Sequence, residues 1–129
     1  MTKKIKIIIK SAKIELNAEL YDTETAKKVW EILPFTSSIN TWGQEIYYDI
    51  PLSPKLSLEP DARANMEVGE IGYWDVGNCM CVFWGKTPAS SGDKPVAASP
   101  VNVFGKVLDD ATVLDAVSGG QEIIVEKNE

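Results

Sequence analysis

The 129-residue sequence has no histidine, one arginine (Arg63) and two cysteines (Cys79 and Cys81). The absence of histidine excludes Ser-His-Asp and Cys-His catalysis, His-ligated zinc, and the usual general base near neutral pH. Arginine is scarce and acids are in excess, with 13 basic and 19 acidic residues giving a net charge of −6. No basic face for nucleic acid can be assembled from such a set, and an acidic membrane surface would repel it. No apolar run approaches the ~20 residues that span a bilayer. The N-terminus is basic, but the strand behind it, Ile5 to Ile9, is short and carries Lys6. That is no secretion signal, so a cytoplasmic location is expected.

The cysteines stand in the run Cys79-Met80-Cys81. On a strand both point to one face, a disulfide across a single residue would be badly strained, and a metal would need ligands that the neighbourhood lacks. Two buried free thiols are expected, with no metal and no cofactor. The composition, 44% apolar and 25% charged, is that of a folded globular chain, and its length suits one domain over residues 1–129.

Strand periodicity dominates. Ala12, Ile14, Leu16, Ala18 and Leu20 alternate with polar residues, and with Ile5–Lys10 they predict an antiparallel hairpin. A helix follows, capped by Asp22 or Thr23, stopped by Pro34, with Ala26, Val29, Trp30 and Leu33 on its buried stripe and Glu24 paired with Lys28 outside. Thr36–Asn40 reads as a polar turn. Gln44–Ile50 alternates, with Ile46, Tyr48 and Ile50 opposite Glu45, Tyr47 and Asp49. Glu45 and Asp49 suit a solvated strand face better than a paired-carboxylate site. Pro51, Pro54 and Pro60 break the next stretch. Glu70–Trp74 and Cys79–Trp84 form strands around a turn at Val76–Asn78, and the second is apolar on both faces, as where a barrel wall carries a helix outside. Gly85–Pro100 reads as a loop of small residues. Its Gly85-Lys86-Thr87 lacks the upstream glycine of a phosphate-binding loop. Val101–Val107, a helical turn at Asp109–Val117, a reversal at Gly119-Gly120 and a strand at Gln121–Lys127 complete the chain.

Three stretches carry a resemblance. "TETAKKVWEILP" resembles the first helix of the cyclophilins, "EIGYWDVGNCMCVFWG" the strands lining one side of their groove, and "VFGKVLDDATVLDAV" their late strand and short helix. The chain is similar, over nearly its whole length, to small prokaryotic cyclophilin-like proteins of unassigned role, with which it shares "NTWG", "FWGKTPAS" and "SPVNVFGKV"-like segments. The resemblance implies a mainly β fold: a closed eight-stranded barrel with one longer and one short helix, and a groove for a proline-containing peptide.

It also implies where isomerase chemistry would sit. The family's catalytic arginine belongs to the segment resembling "NTWGQEIYYDI", which holds none. The histidine's place falls near Val101 and the groove tryptophan's near Val96, while Phe83 is the heir of the pocket phenylalanine. Arg63, in the proline-broken stretch, does not align with the catalytic arginine. The expectation is a binding module whose aromatic groove takes a peptide or small ligand through Trp42, Gln44, Tyr47, Phe83, Thr87, Asn102 and Phe104. Gln44, Glu45, Thr87 and Asn102 are its polar rim candidates, and Trp42, between a polar turn and a strand and next to Gly43, is positioned where a side chain can face outward. A weak or divergent peptidyl-prolyl isomerase is the alternative, and an assembly role built on exposed aromatics a third. The sequence leaves the oligomeric state open.

Overall fold

The computed structural model describes residues 3–129. Strands β1 (Lys4–Ile9) and β2 (Ile14–Leu20) pair antiparallel through a 3-10 turn at Lys10–Ala12, where Lys13 takes φ 56°. Their alternation puts Ile5, Ile7, Ile9, Ile14, Leu16, Ala18 and Leu20 in the core, as the sequence predicts. Helix α1 (Glu24–Glu31) is capped by Thr23, whose Oγ1 accepts from the Ala26 N–H at 3.0 Å. Ala26, Val29 and Leu33 are buried; Trp30 is half-buried, with the ammonium groups of Lys127 and Lys3 at 4.8 and 5.3 Å from its ring. The outer charges pair at i,i+3, Lys27 with Glu24 and Lys28 with Glu31, in place of the expected Glu24–Lys28 pair.

The chain continues through β3 (Phe35–Ser38), β4 (Asn40–Thr41), β5 (Glu45–Asp49), β6 (Arg63–Asn65), β7 (Glu70–Trp74), β8 (Cys79–Phe83), β9 (Val96–Val107), a 3-10 helix at Ala111–Ala116, and β10 (Glu122–Lys127). The sheet runs β3-β10-β1-β2-β9-β7-β8-β5-β4, with β6 on β9. This corrects the expected closed eight-stranded barrel: the sheet has ten strands and two free ends, and among the described residues no ladder joins β3 to β4. The reason lies in the backbone. Ile39 alone links these two strands, and its N–H and C=O are used by Gln121 O (2.9 Å) and Gly120 N (2.8 Å), so the chain crosses the seam covalently instead of by strand pairing. One longer helix and one short helix do fit the expectation.

Three further readings are revised. Thr36–Asn40 is not a turn but the two short edge strands, whose exposed polar side chains hide the pairing. Arg63 lies in a strand, β6. The final strand of the supposed Gly85–Pro100 loop begins at Val96, so Pro100 stands inside β9 where β6 pairs irregularly with it.

The inner face of this sheet closes on one core that includes Ile46, Tyr48, Ile71, Tyr73, Met80, Val82 and Phe104. The outer face of β5, β7 and β8 carries a second cluster, Met66, Cys79, Cys81, Phe83, Ala97 and Val101, covered by β6 and the first half of β9. β8 is therefore buried on both sides, as its apolar composition requires. Gly72 makes this layering possible, because a Cβ there would meet Val101 Cγ2 at 2.6 Å.

Asn102 ties the long 53–62 segment to the sheet. Its Oδ1 accepts from the Glu59 N–H at 2.7 Å, and its Nδ2 donates to Thr25 Oγ1 and Ser57 O, both at 3.0 Å. Asn102→Ala removes three hydrogen bonds, one to the buried Thr25 hydroxyl and two to part-buried backbone groups, and is expected to cost about 1–3 kcal/mol. Urea unfolding should show a lower midpoint at unchanged slope; an unchanged midpoint would refute this anchoring role.

Candidate functional site

β4 and β5 form a hairpin in which the Trp42 N–H donates to Glu45 O at 2.9 Å. Gly43 turns it with φ +60°, and a Cβ there would lie 2.8 Å from Lys86 O and 2.9 Å from Thr87 Cα, so the tip packs tightly on the 86–87 backbone. This holds Trp42 over the outer face of β5. There, Glu45, Tyr47 and Asp49 share a side with Cys79, Cys81 and Phe83 of β8, through the register pairs Glu45–Phe83, Tyr47–Cys81 and Asp49–Cys79.

Between this hairpin and β9 lies a cavity of about 180 Å³ lined by Trp42, Glu45, Tyr47, Trp74, Cys81, Ala97, Ala98 and Val101. The small residues Ala97 and Ala98 leave the space; the aromatics wall it. Tyr47 and Trp74 meet nearly edge to face, with ring centroids 6.4 Å apart and planes at 75°. Trp74 is fixed by its Nε1–H, which donates to Ser99 Oγ on β9 at 2.8 Å.

Glu45 is 5% exposed. Among the described residues no lysine or arginine forms an ion pair with it. Burial pushes its carboxyl up to about 7, and the Cys81 thiol beside it offsets only part of the rise. Burial first, and then the Glu45 charge, hold the Cys81 thiol well above its usual range. Cys79, which donates to Asp49 Oδ1 (3.4 Å) and Gly77 O (3.2 Å), is pushed up to about 12, mainly by burial. Both cysteines are free and buried. They are inert neutral thiols, not nucleophiles. Among the described residues no cluster of three or more His, Cys, Asp or Glu is placed to hold a metal ion.

The seven residues singled out in the sequence divide sharply. Trp42 and Tyr47 line the cavity; Phe83 is fully buried in the cluster on the same outer face. Gln44 is a tether, accepting from the Lys86 N–H at 3.1 Å and donating to Asp115 Oδ1 at 3.0 Å, where the Trp84 indole N–H also donates at 2.6 Å. Thr87 is buried and staples its loop, its Oγ1 bonding Val96 O and accepting from the Ala89 N–H. Asn102 serves the 53–62 segment, and Phe104 fills the inner core. Glu45, expected on a solvated strand face or at the groove rim, lines the cavity as its buried carboxyl, while Asp49 is exposed as expected. A signal for Glu45 was present: β8 reads as covered on both faces, and Glu45 is opposite Phe83 of that strand. Arg63 clamps the buried Glu70 through two bonds of 2.8 and 2.9 Å and does not line the cavity. Burial alone would raise Glu70, but the Arg63 guanidinium and the Glu67 N–H bring it net below its usual range.

The raised Glu45 value has a stability consequence of definite sign. Between about 4.5 and about 7 the folded state holds a proton that the unfolded chain has released, so stability falls as pH rises through this window and is lowest above it. The shift corresponds to roughly 3 kcal/mol. Glu45→Gln should therefore be more stable than the parent at pH 8, with the gap vanishing below pH ~4.5. Equal denaturation midpoints at pH 8 would overturn the assignment.

The sequence model of the Cyclophilin-like family matches residues 3–126. Among solved structures, the hypothetical protein AF2241 from Archaeoglobus fulgidus is similar at 32% identity and a TM-score of 0.80, over 98% of this chain and 95% of that one. McbB, determined in complex with tryptophan, is similar at 18% identity and a TM-score of 0.73; 96% of this chain aligns with 44% of that one, a likeness of fold alone. No curated protein sequence matches the chain. No helix among the described residues is long and apolar enough to cross a membrane. With its family match spanning all but a few terminal residues, the chain belongs to the Cyclophilin-like family.

Proposed function

We propose that the chain is a binding module whose outer-face cavity holds a small ligand or a single peptide side chain, without efficient prolyl isomerisation. The carrying observation is the cavity itself: three aromatic residues and small aliphatic ones around one buried carboxyl. Its volume of about 180 Å³ is below the ~300–1,000 Å³ typical of drug-sized sites, which favours a compact group. A protein of the same fold, McbB, carries the small aromatic molecule tryptophan in its determined structure, which supports the reading at the level of fold.

Turning an X–Pro bond means crossing about 18–20 kcal/mol, and removing one positioned donor from a preorganised site typically costs about 10²–10³ in rate. Here the segment that resembles the arginine-bearing one has no arginine, Val101 stands near the histidine's place, and the chain's one guanidinium is engaged by Glu70. Only the resemblance to cyclophilins favours isomerisation, and function resides in sites, not in folds.

Exchange NMR on an Ala-Pro peptide tests the proposal. The cis/trans exchange rate should stay at its uncatalysed value on adding the protein, while peptide or small aromatic ligands shift amide resonances around Trp42, Glu45, Tyr47 and Trp74. Accelerated exchange that is lost in Trp42→Ala would instead establish an isomerase.

A further inference from the structure

We propose that the cavity selects a small alkylammonium ion, held by Trp42, Tyr47 and Trp74 around the Glu45 carboxylate. This rests on the binding-module reading and names its ligand class. Two features of the cavity demand a cation together. First, Glu45 is 95% removed from solvent in relative terms and lacks an ion-pair partner among the described residues, so a ligand of opposite charge supplies what the protein does not. An isolated buried carboxylate is costly, and an incoming cation offsets that cost directly. Second, the walls are indole and phenol rings, whose faces carry negative quadrupole density and attract cations, more so when water is excluded. Tyr47 and Trp74 stand at 75° to one another, presenting two differently directed aromatic walls.

The size and the chemistry both argue for an organic cation over a metal ion. About 180 Å³ exceeds what a bare ion fills, and a hard divalent cation would require several oxygen ligands where the lining offers one carboxylate. A methylated ammonium is weakly hydrated and apolar at its surface, so it suits aliphatic and aromatic walls.

The titratable groups around Glu45 are few. Cys81 and Cys79 face it from β8 and stay neutral at moderate pH, while Tyr47 and Asp49 lie on its own strand face. β7 contributes Trp74, and β9 contributes Ala97, Ala98 and Val101, none of which titrates. With the carboxyl at about 7, a ligand of fixed positive charge should bind about tenfold more tightly at pH 8 than at pH 6, because only the ionised carboxylate attracts it.

The test uses the full-length protein and choline chloride, followed by tryptophan fluorescence and NMR, against the neutral isostere 3,3-dimethylbutan-1-ol and against sodium chloride. The proposal expects choline to bind at least tenfold more tightly than the alcohol at pH 8, the preference shrinking at pH 6. Glu45→Gln, checked for folding by its melting profile, should abolish both the preference and its pH dependence. A trimethyllysine peptide and its neutral leucine counterpart identify the source: preference for the modified peptide over choline places the ammonium on a side chain and supports the same chemistry. Equal affinity for charged and neutral probes would overturn the ammonium inference while leaving a binding module in place. Failure of every probe, including proline peptides, to perturb the cavity would overturn both.

Discussion

The two-sided burial of β8 is the constraint from which the rest follows. Cys79 to Phe83 has no exposed residue, so one side of the strand must find an inner core and the other an outer cover. Met80 and Val82 enter the inner core with Ile71 and Tyr73 of β7. Cys79, Cys81 and Phe83 need a second layer, and β9 supplies it by running twelve residues: its second half pairs with β7 and β2, while its first half turns over the outer face with β6. Close approach at Gly72 sets the depth of that layer. The cavity lies where the layer thins, under Ala97 and Ala98, beyond which the β4–β5 hairpin brings Trp42 over the gap. Site and fold therefore share one cause: a strand too apolar to leave either face in water.

Much of the inner architecture was legible in local pattern. Period-two alternation located β2 and β5, the β-branched run Ile5–Ile9 located β1, and the run Thr23 to Pro34 located the helix with its cap, because those signals depend on residues close in sequence. What escaped was long-range or polar. The edge strands β3 and β4 expose polar side chains and pair mainly through backbone, and β6 is only three residues long. Closure of the sheet is a matter of which backbones bond, and β3 and β4, joined through Ile39 alone, follow one another in sequence without pairing.

The site divided along the same line. Trp42, next to Gly43, reads as a side chain able to face outward, and the structure places it on the cavity wall. Asn102, Thr87 and Gln44 look like rim residues because they are polar between apolar strands. Their hydrogen bonds are instead spent on backbone and loops, and no spacing rule distinguishes a polar side chain that faces a ligand from one that satisfies a buried peptide group. Glu45 erred in the opposite direction. Alternation correctly put it on the outer side of β5, but outer meant solvent only so long as β9 was thought to start at Val101.

That misreading makes Glu45 informative. A glutamine or a small apolar residue at this position would satisfy the sheet without placing a carboxyl among aromatic rings, and the present arrangement destabilises the ionised fold by roughly 3 kcal/mol, a large share of the ~5–15 kcal/mol that holds a domain together. Glu70 shows how the same chain treats a buried acid that serves structure: a bidentate guanidinium, a tyrosine hydroxyl at 3.2 Å and a backbone N–H at 2.8 Å surround it, and its carboxyl is brought below the usual range. Two buried glutamates thus differ in one respect, the presence of a cationic partner. Where a fold supplies a guanidinium, a hydroxyl and a backbone N–H for one acid and only a neutral thiol for the other, the acid without a cationic partner departs from the local rules the rest of the chain obeys, and such departures concentrate at sites of function. The aromatic walls around Glu45 are the surroundings in which a cation completes what Arg63 completes for Glu70.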